Sequence, residues 1–185
     1  MIKPHHKKIV VYGNSGSGKT TLAFILHKKL NIPLYHLDQY HWKPNWERAS
    51  DEQFFAMHTA LCNERAWIME GVYTRILHER IAHADVVIFL DMPRYLCMWR
   101  VLKRALFNTG KQLPGDPVGC KQNVLSYKFL EFFTWVWNFN KRNRPVALEL
   151  LQVPEVINKK CVYILRSPQE IKALIAQLEL YDAKK

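Results

Sequence analysis

A chain of 185 residues, 49% of them apolar, has the material for one domain with a substantial core, which excludes a disordered chain. No apolar run reaches the roughly 18–20 residues of a membrane helix, and Met1-Ile2-Lys3-Pro4-His5-His6 has no apolar signal core behind it, so a cytoplasmic protein without a membrane partner is expected. Cys62, Cys97, Cys120 and Cys161 stand far apart with no C-x-x-C pair, which excludes a zinc ribbon or disulfide framework; the net charge of +11 points to polyanions, either nucleotides in a cleft or a nucleic-acid backbone on a surface.

The first predicted element is a strand over residues 7–12, a β-branched apolar run of the kind found inside parallel sheets. It feeds Gly13-Asn14-Ser15-Gly16-Ser17-Gly18-Lys19-Thr20, which fills every fixed position of the phosphate-loop pattern G-x-x-x-x-G-K-[ST]. A helix follows over 21–30, with Leu22, Ile25, Leu26 and Leu30 at helical spacing. The glycines let the backbone wrap an anion, while its N–H groups and the helix N-terminus supply partial positive charge. Lys19 reaches the β/γ-phosphates and the Thr20 hydroxyl holds Mg²⁺. Residues 13–20 with the adjoining Thr21 are therefore the expected ATP-binding set, and ATP and Mg²⁺ the expected cofactors.

Residues 33–38 read as a second strand ending on Asp38, and in an open parallel sheet that end faces the ligand. Residues 39–46 form a loop dense in rings, including Tyr40, Trp42 and Trp46, which either line an acceptor pocket or cap the core. Ser50 caps a helix with Phe54, Phe55, Met57, His58, Leu61 and Cys62 on its apolar side. A third strand over 66–69 closes on Glu70-Gly71, where a carboxylate can orient the water shell of a metal, making Thr20 and Glu70 the metal candidates. Residues 74–82 are a short helix carrying Arg75 and Arg80.

Residues 85–91 are the fourth strand, and Pro93 opens a helix on which Arg100 and Arg104, four apart, share a face suited to clamping phosphates. The Gly/Pro-rich stretch that follows reads as a lid over 108–122. Helix resumes at about Asn123 with Leu125, Phe129, Phe132, Phe133, Val136 and Phe139, and ends on Lys141-Arg142-Asn143-Arg144 before Pro145. Residues 146–151 continue helical, 160–165 make a fifth strand, and Ser167 caps a final helix over 168–180. This alternation predicts a single α/β domain over 1–185, built on a doubly wound five-stranded parallel sheet with a lid insertion.

Taken in order and spacing, the phosphate loop, Leu37-Asp38 with Trp42-Lys43-Pro44-Asn45-Trp46, Trp67-Ile68-Met69-Glu70-Gly71-Val72-Tyr73, Ile88-Phe89-Leu90-Asp91-Met92-Pro93 and Trp99-Arg100-x-x-x-Arg104 resemble bacterial adenylate-kinase-like P-loop proteins, often labelled DNA topology modulation proteins. Gly119-Cys120 and Trp137-Asn138-Phe139 with Arg142-Asn143-Arg144-Pro145 extend the likeness over nearly the whole chain. The resemblance implies a nucleoside-monophosphate-kinase-like fold, ATP with Mg²⁺, and a closing lid. Adenylate kinases place an acid-Gly pair at the end of the third strand, matched by Glu70-Gly71, and an acceptor-binding arginine soon after, for which Arg75 and Arg80 are candidates. Their R-x-x-x-R helix contacts base and phosphates, matched by Arg100 and Arg104. Related lids carry Arg before the Asp and Glu-Arg after the Gly-Cys, whereas this chain has Pro114-Gly115-Asp116 and Lys121-Gln122-Asn123; Arg142, Arg144 or Lys111 would have to supply the missing charge.

Asp38 points to the acceptor. Adenylate kinases, whose acceptor is already an ionised phosphate, need no base after the second strand, while P-loop kinases that phosphorylate hydroxyl groups, such as uridine and gluconate kinases, commonly carry an acid there. The expected site therefore has Asp38 as base, Tyr40, Trp42, Glu70, Arg75 and Arg80 around the acceptor, and Lys19, Arg100, Arg104 and Arg142 neutralising the migrating charge. The expected activity is transfer of the ATP γ-phosphoryl to a small-molecule acceptor, either a hydroxyl compound or a nucleoside monophosphate. The rival is an ATP-dependent nucleic-acid-binding protein affecting DNA topology, with slow or incidental hydrolysis. The oligomeric state is left open.

Overall fold

A computed structural model describes residues 2, 5–111, 115–120 and 126–182. In chain order its elements are β1 (Lys8–Gly13), α1 (Lys19–Leu30), β2 (Leu34–His36), α2 (Asp38–His41), β3 (Trp42–Lys43), β4 (Glu47–Arg48), α3 (Asp51–Asn63), β5 (Trp67–Glu70), α4 (Leu77–His83), β6 (Val86–Leu90), α5 (Arg94–Phe107), α6 (Tyr127–Arg142), α7 (Arg144–Gln152), α8 (Pro154–Lys159), β7 (Cys161–Leu165) and α9 (Pro168–Asp182). Five strands form an all-parallel sheet in the order β2-β5-β1-β6-β7. This is the doubly wound α/β arrangement predicted from the alternation of strands and helices.

Helices cover both sheet faces, so the central strands must be apolar on both sides. Ile9, Val11, Ile68 and Ile88 face a core shared with Leu22 and Leu26 of α1, Val101 of α5 and Leu174 of α9. Val10, Tyr12, Trp67, Met69 and Phe89 face the opposite core, with Leu77 and Ile81 of α4 and Leu151 of α7. β1 lies between β5 and β6, so the loop at its C-terminal end emerges at the middle of the sheet.

Several local expectations change. The stretch expected as a loop over 39–46 folds into the single turn α2 and a hairpin, with Trp42 opposite Arg48 and Lys43 opposite Glu47. Its tip holds Asn45 and Trp46 at φ 62 and 61, left-handed values that a tryptophan rarely adopts. Tertiary contacts impose them: Asn45 N donates to the Gly119 carbonyl at 3.2 Å, and Lys128 Nζ donates to the Asn45 carbonyl at 2.9 Å. The helix expected over 74–82 starts as a 3₁₀ turn, Thr74–Ile76, before α4. α6 starts at Tyr127, where Ser126 Oγ accepts from Phe129 N; residues 123–125 of its expected start lie outside the described residues. α8 was not predicted, being short and opened by Pro154.

The loop packs directly on α5. Gly16 has φ +78, and a Cβ there would lie 2.4 Å from the Cys97 carbonyl oxygen. Gly110 shares the backbone strain, at φ +75, but a Cβ there would meet nothing within 4 Å. Gly16→Ala should therefore lower the melting temperature more than Gly110→Ala, which carries only a conformational cost of about 1 kcal/mol, or about 2–4 °C in a chain of this size. Thermal unfolding of the two variants checks this, and equal losses would show that the loop does not need its close approach to α5.

Candidate active site

Every element of the site meets at the C-terminal edge of the sheet. Buried Asn14 fixes the phosphate loop from below, donating from Nδ2 to the Val136 carbonyl of α6 at 2.9 Å and accepting from Ser15 N at Oδ1 at 2.8 Å. Arg100 Nη1 donates to the Gly16 and Ser17 carbonyls, 3.3 Å each, so α5 grips the loop from the side. Lys19 is buried and donates from Nζ to the Asn14 carbonyl at 2.9 Å. Burial lowers its pKa, and the charges of Glu70 and Asp38 partly restore it.

Two acids face the loop from β2 and β5. His36 and Glu70 sit opposite each other in the parallel register, and Glu70 Oε1 accepts from His36 Nδ1 at 2.7 Å and from Thr20 Oγ1 at 3.2 Å. Burial alone would raise the Glu70 pKa, but the His36 hydrogen bond and the Lys19 charge outweigh it and hold the carboxyl below its usual range. Asp38, two residues past β2, accepts from the Tyr73 hydroxyl at 2.6 Å. Its pKa is raised, first by burial and then by the Glu70 charge, against the pull of Tyr73 and Lys19. The Thr20 hydroxyl and Glu70 carboxylate form an oxygen-only donor pair at the end of the loop, which fits Mg²⁺.

Beyond Asp38 the cleft is walled by rings. Tyr73 packs against His41 and Phe54, with centroids 4.8 Å apart in each case, and Trp42 meets His41 edge-on at 5.0 Å and Trp46 at 5.8 Å. The described part of the expected lid lies over this junction. A Cβ on Gly115 would lie 3.0 Å from Thr20 Cγ2, while Cys120 Sγ donates to the Lys43 carbonyl at 3.1 Å. Residues 112–114, 121 and 122 of that lid lie outside the described residues. The whole cleft measures about 2320 Å³, more than twice the roughly 1,000 Å³ at the top of the range for single small-molecule pockets. Two ligands fit in it together.

Of the expected site residues, Ser15 to Thr21, Asp38, Trp42, Glu70, Arg75, Arg100, Arg104 and Arg142 line this cleft. Gly13 and Asn14 lie beneath it. Tyr40, expected at the acceptor, is not among the lining residues and is solvent-exposed on α2. Arg80, also expected there, is fully buried under the cleft and donates to the Gly71 carbonyl at 3.3 Å and the Tyr73 carbonyl at 2.8 Å. It shapes the turn that presents Tyr73 and is not available to an acceptor. Arg144, weighed as a lid substitute, is committed to Asp91 by two hydrogen bonds of 2.7 and 2.9 Å, and Lys111 does not line the cleft. Sequence reasoning missed His36, Tyr73 and Phe54. The register of β2 against β5 pairs His36 with Glu70, a signal that appears only once the strand order is known.

A separate cluster joins His58, Cys62 and Glu79 within metal-ligand range. His58 spends one ring nitrogen on each neighbour, 3.1 Å to Glu79 Oε2 and 3.6 Å to Cys62 Sγ. Burial and the Arg80 charge push His58 down to about 4, and burial pushes Cys62 up to about 11, so both are neutral near pH 7. This is a packed polar contact between α3 and α4.

The chain matches no protein-family model and no curated protein. Its structure does match solved proteins. Acinetobacter baumannii shikimate kinase in complex with shikimate superposes with a TM-score of 0.57 at 16% identity, covering 98% of this chain and 96% of that one. The corresponding values for Bacteroides thetaiotaomicron shikimate kinase are 0.57, 16%, 95% and 98%. For M. mycoides deoxyadenosine kinase with the products dCMP and dCDP they are 0.53, 14%, 96% and 100%. The fold is that of the small P-loop kinases. At such identities the likeness extends to the fold and goes no further, and the resemblance to DNA topology modulation proteins stands on the sequence motifs alone. Among the described residues no helix is long and apolar enough to cross a membrane.

The two acids affect stability with opposite signs. The folded Asp38 pKa is raised, so its contribution is present at low pH and lost as pH rises through the folded value. The folded Glu70 pKa is lowered, so its contribution is present above the ordinary carboxylate range and lost as pH falls through the folded value. Asp38→Asn should accordingly raise the melting temperature at pH 7, by about 2–4 °C for each kcal/mol recovered, with the gain fading toward about pH 3. Calorimetry at both pH values measures it; a lower melting temperature at pH 7 would contradict the burial of a charged Asp38.

Proposed function

We propose that the chain is an ATP-dependent phosphotransferase that moves the ATP γ-phosphoryl to a hydroxyl group of a small molecule. The observation that carries this reading is a second acid in the phosphate-loop cleft: Asp38, held by Tyr73, lies near enough to Lys19 and Glu70 for their charges to shift its proton affinity. An acceptor that is already an ionised phosphate has no use for such a group, whereas a hydroxyl does. The matched kinase folds support phosphotransfer in general, and the size of the cleft suits a nucleotide and an acceptor together.

In this reading Asp38 accepts the hydroxyl proton while the acceptor oxygen forms its bond to the γ-phosphorus and the bond to the β–γ bridging oxygen breaks, releasing ADP. The loop amides and Lys19 hold the β- and γ-phosphates, and Arg100, Arg104 and Arg142 face the charge that develops on the moving group. Thr20 and Glu70 would hold Mg²⁺, which when bound would supply neutralising charge for the phosphate oxygens. Tyr73 orients Asp38, and segment 115–120 keeps water from the transfer. The nucleic-acid reading draws on net charge, and five of the arginines that contribute to that charge, Arg48, Arg75, Arg100, Arg104 and Arg142, line the cleft.

With an acceptor found by screening nucleosides, sugars and monophosphates for stimulated ADP release, Lys19→Ala should lower turnover about a hundredfold or more. Asp38→Asn should lower kcat by a similar factor with little change in ATP affinity. Normal turnover in either variant contradicts its assigned role. ATP turnover that responds to no acceptor, together with duplex-DNA binding that weakens steeply with salt, would transfer the case to the rival.

A further inference from the structure

Four cations toward the ring wall of the cleft are already engaged. Arg80 is buried and spent on the Gly71 and Tyr73 carbonyls. Arg75 pairs with Asp51 at 2.9 Å and lies 5.2 Å over the Phe55 ring, which holds it at the rim. Arg48 lies 5.7 Å over the Trp42 ring, and Lys128 donates to the Asn45 carbonyl. Facing the same space are the carboxylates of Asp38 and Glu70. An anionic acceptor would thus enter beside the Asp38 and Glu70 carboxyl groups while Arg48, Arg75, Arg80 and Lys128 are each engaged with a ring, a carboxylate or a carbonyl, and juxtaposed like charges are strongly unfavourable. What remains for recognition is the ring wall of Trp42, Trp46, Phe54 and Tyr73, which suits the flat face of a sugar or base.

We infer that the acceptor is an uncharged, ring-bearing hydroxyl compound, and that Asp51 sets this preference by keeping Arg75 at the rim. The inference rests on the phosphotransferase reading and goes beyond it by assigning the acceptor's charge and shape and a specificity role to Asp51. Asp51 is the first residue of α3 and belongs to the cleft wall. The Arg75–Asp51 pair is exposed, at 73% and 58%, and such pairs contribute little to stability. Its consequence is selective: it neutralises Arg75, which could otherwise receive a phosphate or carboxylate at the rim.

The test uses matched probes that differ by one phosphate: adenosine against AMP, and ribose against ribose 5-phosphate. Binding to the full chain is measured by calorimetry with a non-hydrolysable ATP analogue and Mg²⁺, and ADP release is measured with ATP. At least one neutral member should bind at least about tenfold more tightly than its phosphorylated counterpart. Asp51→Asn, which frees Arg75, should shift that ratio toward the phosphorylated probe by about tenfold, and Asp51→Ser should do the same. Tighter binding of the phosphorylated probes by the unaltered chain overturns the inference, as does the absence of binding by all four. An unchanged ratio in both Asp51 variants overturns the role of Asp51. Neutral probes that bind without releasing ADP would leave this inference standing and count against phosphotransfer instead.

Discussion

The close approach of the Gly13–Gly18 backbone to α5 is the constraint on which the site depends. Gly16, at φ +78, sits where a Cβ would lie 2.4 Å from the Cys97 carbonyl oxygen, so a side chain there would push the loop off α5. Asn14 reaches the Val136 carbonyl and Arg100 grips the Gly16 and Ser17 carbonyls, so the loop is held from two helices. Because β1 is central, both acid-bearing strands lie to one side of the loop and the two later strands to the other. Asp38 and Glu70 therefore enter the cleft from one side of the loop, and Arg100 and Arg104 of α5 from the other.

That asymmetry organises the chemistry. Glu70 is kept charged by His36, Thr20 and Lys19, whereas Asp38 is inclined toward its protonated form by burial and by Glu70 itself. Two neighbouring carboxyls pushed in opposite directions can take different roles, one beside a cation and one exchanging a proton. Arg80 supports this from beneath, since its bonds to Gly71 and Tyr73 fix the turn from which the Tyr73 hydroxyl reaches Asp38. Segment 115–120 approaches Thr20 at one end and Pro44 and Lys43 at the other, so it spans the cleft from α1 to the β3–β4 hairpin.

Much of this was legible before the fold was known, because the signals are local. The phosphate loop declares itself by pattern and context, and the five strands are short apolar runs separated by helical segments, which predicts a parallel sheet but not its strand order. What was not legible depends on residues distant in sequence. Nothing in residues 74–82 says that Arg80 is buried and Arg75 exposed, since both follow the same strand at helical spacing. The His36–Glu70 bond crosses between strands and the Asp38–Tyr73 bond between the segments that follow them, with partners 34 and 35 residues apart. The β3–β4 hairpin lacks any glycine at its tip, and its left-handed Asn45 and Trp46 are imposed by Gly119 and Lys128. Tyr40 and Trp42 looked alike as acceptor walls, but the turn of α2 separates them.

The central claim is that this cleft hands the γ-phosphoryl to an acceptor hydroxyl and not to water. Incubating the chain with γ-³²P-labelled ATP, Mg²⁺ and a neutral nucleoside or sugar, then separating the products, measures that directly. The account predicts label in a phosphate monoester of the added compound, in amounts equal to the ADP formed. Label found only as inorganic phosphate, whatever neutral or anionic compound is supplied, would contradict it.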